Sequence, residues 1–383
     1  MDALLLAPEH ERHRPDLGPS FEDATFGDAL RALGWRVEVF DDVAQTRRLG
    51  VEGMNRRLAE RVAAEKPDLL FAVLRRPLVD RRTIRRITQS GLTKTFNWYC
   101  DDHWQFRVVS RRWTPCFGLV GTTSAMAVGW YQARGWDNVL KTQWAADPAV
   151  FRPEPAPPKC DVAFVGQPYG ERASAIQTLR HAGIDAQGFG PGWASGRLST
   201  RAMVSAMARA KIVLNFSGSS VRGFSWADRL LLGRTPERLM RTRGGWRAVD
   251  ALRKAAASVR AGGMAKPGPA QIKARVFEAT ACGACLVTQT AEDFADLYTP
   301  GIEAVLFRDA DELLWACRSL LDDETRRATI AAAGRSRLLA EHTWSHRMAD
   351  VFDRLGLDAA ARSARIQAKQ QAESAVRTGR EAA

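Results

Sequence analysis

A cluster of carboxylate, imidazole and aromatic side chains follows the fourth apolar run of the chain, at residues 97–104. Asp101, Asp102 and His103 are each able to take a proton from a hydroxyl group, which is the task of a general base. The same residue types also begin helices well, because an aspartate oxygen caps the free N–H groups of the first turn. The cluster therefore predicts either an acid–base site or the start of a helix.

Two glycine-containing turns follow later apolar runs, at residues 166–172 and 188–192. Gly166 would let the backbone approach a ligand, and the helix that follows would offer unpaired N–H groups. Arg172, in the first turn of that helix, adds a charge that suits a diphosphate. The spacing differs from G-x-G-x-x-G, so an ordinary turn is also consistent with it. Gly190 would contact a nucleotide base or ribose, or lie in a plain loop.

Histidines and a cysteine pair supply two further candidates. His10 and His13 lie in the charged loop after the first apolar run, where they would contact an acceptor molecule or an anion, although a solvated loop is the simpler interpretation. Cys282 and Cys285 form a lone C-x-x-C, and a zinc or redox role would need further ligands nearby. We interpret them as small buried thiols and expect no metal site.

Short apolar runs that alternate with amphipathic stretches must position these residues. Such alternation predicts parallel strands joined by right-handed helical crossovers, hence doubly wound α/β sheets. The predicted strands are 3–6, 36–40, 69–74, 95–99, 117–120, 139–143, 161–165, 186–189, 212–216, 284–288 and 304–307. The predicted helices include 26–33, 54–64, 171–182, 200–209 and 274–281.

A proline-rich polar stretch divides the chain. With 383 residues, two domains are expected, and residues 151–158 are the best linker candidate. We therefore predict a Rossmann-like domain over 1–150, a second over 159–345, and C-terminal helices over 346–383. Ligands of such sheets bind at the carboxyl ends of the strands.

The net charge of +13 is concentrated in two segments. Residues 219–273 hold twelve Lys and Arg against three Asp and Glu, and residues 75–86 hold six Arg against one Asp. The rest of the chain is nearly neutral. A basic segment of this kind predicts an anionic partner, such as nucleic acid or a membrane surface, with a solvated helical face as the alternative.

The composition and the first residues of the sequence indicate where in the cell the protein is expected. Hydrophobic residues make up 45% and charged residues 26%, as in ordinary globular proteins. No signal peptide is expected, and the uncharged stretch 113–133 contains proline and several glycines, so it predicts a strand, a turn and a helix capped by Ser124. Scattered cysteines are typical of reduced thiols. We expect a cytoplasmic protein, either free or peripheral at the inner membrane surface.

The most specific pattern is an Arg-x-Phe-Glu, from Arg275 to Glu278, followed by an Ala-x-x-x-Gly that ends at Gly283. A His-Thr-Trp with a later arginine, from His342 to Arg347, comes near the end of the chain. Together these elements resemble the CgeB-like (spore maturation protein CgeB) glycosyltransferases, which belong to the GT-B superfamily of nucleotide-sugar-dependent enzymes. The resemblance covers about residues 95–355 and is clearest after 160.

The resemblance implies two Rossmann-like domains that face a cleft, with the donor held mainly by the second. It implies that Glu278 opens a helix and accepts hydrogen bonds from sugar hydroxyls, while Arg275 and Lys273 neutralise a leaving diphosphate without a metal. A helix-cap glutamate with solvated basic neighbours is the alternative. The expected donor-binding residues are Gly166, Tyr169, Arg172, Gly190, Asn215, Lys273, Arg275, Glu278 and Gly283.

One departure leaves the stereochemistry open. Retaining relatives usually carry a second glutamate eight positions before the one that matches Glu278, and Ala270 stands there. If the reaction inverts, Asp101, Asp102 or His103 would supply the base that an inverting enzyme needs.

The expected function is metal-independent transfer of a hexosyl or related sugar from a UDP- or GDP-linked donor, with no cofactor. The acceptor stays open between polysaccharide, lipid, protein and modified nucleic acid. Two alternatives are a nucleic-acid-directed glycosyltransferase and a non-catalytic nucleotide-sugar or nucleic-acid binding protein on the same fold. We expect the basic insertion 219–271 to bind an anionic acceptor through Arg222, Arg241, Arg243 and Arg247.

Overall fold

The computed structural model describes residues 1–74, 78–107, 109–218 and 270–381. Contacts between residues divide the chain into two compact units. The first unit contains Met1–Thr142 and Asp350–Ala361. The second contains the described residues of Gln143–Ser220, Pro267–Ala349 and Arg362–Ala383.

The first unit is built on a six-stranded sheet in the order β2-β1-β3-β4-β5-β6. All its strand pairs are parallel. The strands are β1 (Asp2–Leu6), β2 (Arg36–Phe40), β3 (Leu69–Ala72), β4 (Lys94–Tyr99), β5 (Leu119–Thr122) and β6 (Val139–Lys141). Strands β1 and β3 are almost completely buried, which is expected of a parallel sheet covered on both faces.

Helices cover this sheet. They are α1 (Asp28–Ala32), α2 (Asp42–Glu65), α3 (Arg81–Ser90), α4 (Asp102–Gln105), α5 (Ser110–Trp113) and α6 (Ala125–Gln132). Helix α2 begins at Asp42 because the Asp41 carboxylate accepts hydrogen bonds from the amides of Val43 and Ala44. Helix α6 begins at Ala125 because Ser124 Oγ accepts one from the Ala127 amide, as the sequence predicts.

The second unit is built on a five-stranded parallel sheet in the order β11-β10-β9-β7-β8. Its strands are β7 (Cys160–Val165), β8 (Ala186–Phe189), β9 (Ala210–Asn215), β10 (Cys285–Gln289) and β11 (Val305–Phe307). Its helices are α7 (Arg172–His181), α8 (Thr200–Ala208), α9 (Ala274–Ala281), α10 (Ala310–Asp322) and α11 (Glu324–Glu341). Two helices then run through the end of the chain, α12 (Trp344–Arg354) and α13 (Asp358–Glu381).

In each sheet there is one strand from which the chain continues first to one side of the sheet and later to the other. In the first unit β1 is followed by β2 on one side, while β3 pairs with its other side. In the second unit β7 has the same relation to β8 and β9. Loops that leave neighbouring strands diverge at such a point and open a crevice at the carboxyl edge. Each unit therefore has one preferred place for a ligand.

The sequence predictions agree closely with these elements. All eleven predicted strands are present to within two residues at each end, and the prediction of two doubly wound Rossmann-like sheets is confirmed. The stretch 151–158, expected to be a linker, contacts the second unit: Glu154 accepts a hydrogen bond from Ser205 Oγ at 2.9 Å, and Arg209 Nε donates to the Pro157 carbonyl at 3.1 Å. Contacts assign residues 143–150 to the second unit rather than the first.

Candidate functional site

Arg172 lies at the change of direction in the second sheet, at the start of α7. It is only 7% exposed. Its guanidinium donates to the carbonyl oxygens of Gln167 at 3.2 Å, Phe216 at 3.4 Å and Gly218 at 3.5 Å, and it stacks 3.7 Å from the centre of the Tyr169 ring. Arg172 therefore joins the loop after β7 to the loop after β9.

Burial lowers the pKa of the Arg172 guanidinium, but an arginine stays charged at any ordinary pH. Its hydrogen-bond acceptors in the described part of the chain are neutral carbonyl groups, not carboxylates. Buried charges are normally paired in proteins. The carboxylate of the neighbouring Glu171 opposes the effect of burial on the pKa of Arg172, and a bound anion at this edge would meet the guanidinium directly.

The loop after β9 also reaches the chain that leads into α9. The Gln271 amide donates to the Ser217 carbonyl oxygen at 2.9 Å, and the Gly218 amide donates to Gln289 Oε1 at 3.1 Å. Gln289 in turn donates to Glu171 at 2.6 Å. These bonds bring the loops after β7, β9 and β10 and the chain before α9 to one edge of the sheet.

Helix α9 carries three of the residues that the resemblance implies for the donor. Lys273 is its N-cap residue, Arg275 lies in its first turn, and Arg275 Nη1 donates to Glu278 Oε2. Glu278 is the fifth residue of the helix, so the expectation that it opens the helix is wrong. Burial raises the pKa of Glu278, and the charge of Arg275 opposes that shift.

Gly190 lies in the loop after β8, which folds against the loop after β7. It has a φ of +117°, and a Cβ there would lie 3.1 Å from the Gly166 carbonyl oxygen. Trp193 Nε1 donates to the same oxygen at 2.8 Å. Gly190 therefore allows a close approach of two loops at the candidate site.

Two predicted donor residues have surroundings that fit structural roles. Asn215, the last residue of β9, is buried, and its amide donates to Thr288 Oγ1 at 2.8 Å, which ties β9 to β10. Gly283 precedes β10 and so lies at the opposite edge of the sheet. It has a φ of +75°, and a Cβ there would lie 3.1 Å from Pro153. The structure does not bring Gly283 together with the other candidates.

The predicted acid–base cluster lies in the first unit, where β4 leads into α4. Asp102 is fully buried and accepts hydrogen bonds from Ser110 Oγ and from the Tyr131 hydroxyl, the latter at 2.7 Å. Burial raises the pKa of its carboxyl, against the effect of these bonds. Enclosed in this way, Asp102 joins α4, α5 and α6. Asp101 is partly exposed and His103 is 9% exposed, and they stay candidates.

His10 and His13 line a cavity of about 170 Å³ at the carboxyl edge of the first sheet. Glu11, Glu22 and Asp42 also line it. With three carboxylates and the guanidinium of Arg12 around the two imidazoles, the cavity does not favour an anion, which is one of the two ligands that the sequence suggests for these histidines. Carboxylates accept hydrogen bonds, so hydroxyl groups suit this cavity better.

Asp41, beside this cavity, is a residue that sequence reasoning misses. Its Oδ2 lies 3.7 Å from His13 Nδ1 and accepts a hydrogen bond from the Glu9 amide at 3.0 Å. Burial alone would raise the pKa of Asp41, but the imidazole and the backbone amides of Ala44 and Glu9 lower it to about 2. The sign of it in the sequence is a pair of aspartates directly after β2. Such a pair is easily interpreted as the cap of a helix and nothing more.

The basic segments are described only in part. Helix α3 carries Arg81, Arg82, Arg85 and Arg86 outside its buried Ile84 and Ile87. The predicted anion-binding residues lie outside the described residues, namely Arg222, Arg241, Arg243 and Arg247.

Two searches of the described residues bear on other predictions. Cys282 and Cys285 are buried free thiols, and within the described ranges no group of three or more His, Cys, Asp or Glu side chains is arranged to hold a metal ion. None of the helices in these ranges is long and apolar enough to cross a membrane.

Residues 236–353 match a protein-family model described as glycosyl transferase-like (Glyco_trans_1_2). The match begins inside the basic segment and includes α9–α11 and most of α12. The search of curated proteins gives no match.

Solved structures share the fold over most of the chain. Sucrose-phosphate synthase (tll1590) from Thermosynechococcus elongatus aligns with a TM-score of 0.56 at 12% identity, over 93% of this chain and 99% of that one. Anabaena Alr3699/HepE in complex with UDP aligns with a TM-score of 0.55 at 13% identity, over 93% and 100%. A glycosyltransferase from Rickettsia africae ESF-5 gives 0.51 at 10%, over 94% and 98%.

At these identities the structural matches establish the fold, and the family match adds the activity class. They do not distinguish the CgeB-like group within that class. Together they confirm the prediction of a glycosyltransferase with the GT-B fold.

Proposed function

We propose that this protein transfers a hexosyl group from a UDP-sugar, without a metal ion, to an acceptor hydroxyl. The observation that carries the donor assignment is the convergence of Arg172, the loops after β7 and β9, and the start of α9 at one edge of the second sheet. The carboxyl edge at a change of strand direction is where α/β sheets bind nucleotides.

The cations at this edge suit the leaving group of the reaction. When the sugar departs from a nucleoside diphosphate, negative charge develops on the diphosphate. Positioned cations stabilise such charge in the transition state more than in the ground state, which accelerates the reaction. Arg172 and Arg275 supply two cations on different elements, so the charge stabilisation that a metal ion gives elsewhere is available from side chains.

Glu278 is proposed to accept hydrogen bonds from hydroxyls of the donor sugar or ribose. Its pairing with Arg275 in the same helix orients the carboxylate. UDP is the proposed nucleotide because two structures of similar fold were solved in complexes whose titles name UDP and UDP-glucose.

The Arg275→Ala variant tests the donor site. Charge-assisted hydrogen bonds are worth roughly 1.5–3 kcal/mol, so we expect UDP to bind on the order of 10- to 100-fold more weakly. The measurement is isothermal titration of the full chain with UDP and with UDP-glucose, together with release of glucose from UDP-glucose.

A matched control variant also loses one arginine, but outside the proposed donor site. Arg318 is exposed on α10, and Arg318→Ala should bind UDP as the unchanged protein does. Because Arg275→Ala leaves Glu278 buried without its partner, Arg275→Ala/Glu278→Gln is measured as well, and melting without ligand checks folding. UDP affinity that is equal in all four proteins would contradict the assignment of the donor site.

A further inference from the structure

Gln289 is the last residue of β10, and its side chain connects three elements at the carboxyl edge of the second sheet. Strand β9 lies between β10 and β7 in that sheet. The Gln289 Oε1 atom accepts a hydrogen bond from the amide of Gly218, in the loop after β9, at 3.1 Å. Its Nε2 donates to Oε1 of Glu171, the N-cap residue of α7, at 2.6 Å. The amide group therefore joins the end of β10 to the loop after β9 and to the start of α7.

The two partners of Gln289 determine how its amide group is oriented. A carboxylate only accepts hydrogen bonds, and a backbone amide only donates them. The nitrogen must therefore face Glu171 and the oxygen must face Gly218. Glutamate at position 289 would repel Glu171, and methionine, which has a similar length, would form neither bond. An amide side chain is thus required for both contacts.

Arg172 follows Glu171 directly and holds the same loop after β9. Its guanidinium donates to the carbonyl oxygens of Phe216 and Gly218. Burial lowers the pKa of Arg172, and the charge of Glu171 opposes that shift, so the two side chains are close enough to interact. The Glu171 carboxylate nevertheless accepts its hydrogen bond from Gln289, whereas the described hydrogen bonds of Arg172 go to carbonyl oxygens.

This arrangement of partners bears on the binding of an anion. A guanidinium that pairs with a carboxylate forms a nearly neutral group, and its attraction for a diphosphate is then weak. Without its bond to Gln289, the Glu171 carboxylate would be able to pair with Arg172, the next residue of the chain. It would then compete with the diphosphate of the donor for the same guanidinium.

We propose that Gln289 is a positioning residue of the donor site, whose amide holds the Glu171 carboxylate away from the Arg172 guanidinium and fixes the loop after β9. This inference rests on the donor site proposed above and concerns the second unit alone. The part of the donor that it affects is the diphosphate, because that is the group that Arg172 meets.

Gln289→Met tests this role with a side chain of similar length that forms neither hydrogen bond. A hydrogen bond to a charged group is worth about a factor of ten or more in affinity, so we expect UDP to bind about tenfold more weakly. The measurement is isothermal titration of the full chain with UDP, and thermal melting without ligand checks folding. UDP affinity within about twofold of the unchanged protein would overturn the proposal.

The double variant Glu171→Gln/Gln289→Met separates this role from a merely structural one. Glutamine at position 171 carries no charge and does not compete for Arg172. UDP affinity of the double variant should therefore return to within about twofold of that of Glu171→Gln alone, since the two substitutions act through one contact. If Gln289 only stiffened the loop after β9, removal of the charge at position 171 would restore nothing. A loss that persists in the double variant would contradict the proposal.

Gln187→Met is the matched control. Gln187 Nε2 also donates to a carboxylate, that of Asp185, at 3.1 Å. Gln187 lies near the start of β8, however, and so at the opposite edge of the same sheet. UDP should bind to this variant as it does to the unchanged protein, and an equal loss in Gln187→Met and Gln289→Met would overturn the proposal. If the unchanged protein does not bind UDP, the donor site itself is wrong, and this inference fails with it.

Discussion

Buried charged side chains are used in two ways in this protein. Asp102 is enclosed by hydroxyl groups that donate to it and so joins three helices of the first unit. Arg172 and Glu278 lie among the loops and the helix start at the carboxyl edge of the second sheet. Burial disfavours the charged form of all three, so burial alone does not identify the functional ones. Their partners differ: hydroxyl groups donate to Asp102, whereas Arg172 donates to backbone carbonyl groups and Glu278 pairs with Arg275.

His342 shows how a buried imidazole sets a pH limit on stability. Its Nε2 lies 2.7 Å from the Leu297 carbonyl oxygen, and Arg347 donates to its Nδ1 at 3.0 Å. Because arginine only donates, Nδ1 must accept and Nε2 must carry the proton. Burial and the charge of Arg347 lower the pKa of His342 to about 4. The neutral ring is therefore part of the folded structure.

This arrangement predicts a loss of stability on acidification. The pKa of His342 is lower in the folded protein than its usual 6.5, so the unfolded chain binds the proton first. The free energy of unfolding should then fall as the pH drops from about 6.5 to 4, by about 3 kcal/mol in total. Urea unfolding at a series of pH values measures it.

His342→Gln should flatten this dependence, because a glutamine amide can donate to Leu297 and accept from Arg347 without titrating. His181→Gln, the exposed control, should leave the slope unchanged. An unchanged slope in His342→Gln would show that other groups cause the acid loss.

At the scale of elements, the loops after β7 and β8 depend on a glycine that no other residue replaces well. Gly190 brings one loop within contact of the other, and Gly196, later in the same loop, also has a positive φ but has open space where a Cβ would stand. The two positions thus separate the cost of backbone conformation from the cost of a steric clash.

We expect Gly190→Ala to destabilise the protein more than Gly196→Ala does. Alanine in a left-handed conformation costs about 1–2 kcal/mol, and at Gly190 a contact with the Gly166 carbonyl oxygen is added. UDP affinity should fall in Gly190→Ala and stay unchanged in Gly196→Ala. Thermal melting and UDP titration of both variants measure this, and equal UDP affinity would argue that the loop after β8 lies apart from the donor.

The sequence predicts the helices and strands better than it predicts which side chains contact one another. Buried strands such as β1 and β3 are continuous apolar runs, so their places are easily found. Helix α2 begins twelve residues earlier than we expect, because Gly50 interrupts the helical pattern with a φ of +73° inside it. The Asp41–His13 pair joins residues that are brought together only by the packing of α2 against the first loop, and local sequence carries no sign of such packing.

At the scale of the whole molecule, the end of the chain completes the first unit. Trp35 stacks on Phe352 with ring centres 4.9 Å apart, and Arg354 donates to the Asp137 carbonyl oxygen at 2.8 Å. Phe352 is fully buried. The apolar contacts of the first unit thus include residues that are more than three hundred positions apart in the sequence.

Phe352→Ala should therefore destabilise the first unit. Removal of a buried phenylalanine costs about 3–5 kcal/mol, and we expect a first unfolding transition at lower temperature in differential scanning calorimetry. The control Ile366→Ala removes a side chain that is 59% exposed and should change stability by less than about 0.5 kcal/mol. UDP should still bind, since the proposed donor residues lie in the second unit. A single unshifted transition would contradict the prediction.

The stacking of Trp35 on Phe352 also has a consequence for biosynthesis. The ribosome makes Trp35 more than three hundred residues before its partner, so the nascent first unit waits for nearly the whole chain before this contact can form. During translation an indole that is 6% exposed in the finished protein faces the solvent or a chaperone. A fragment that ends before residue 352 therefore exposes an apolar surface that Phe352 covers in the folded protein.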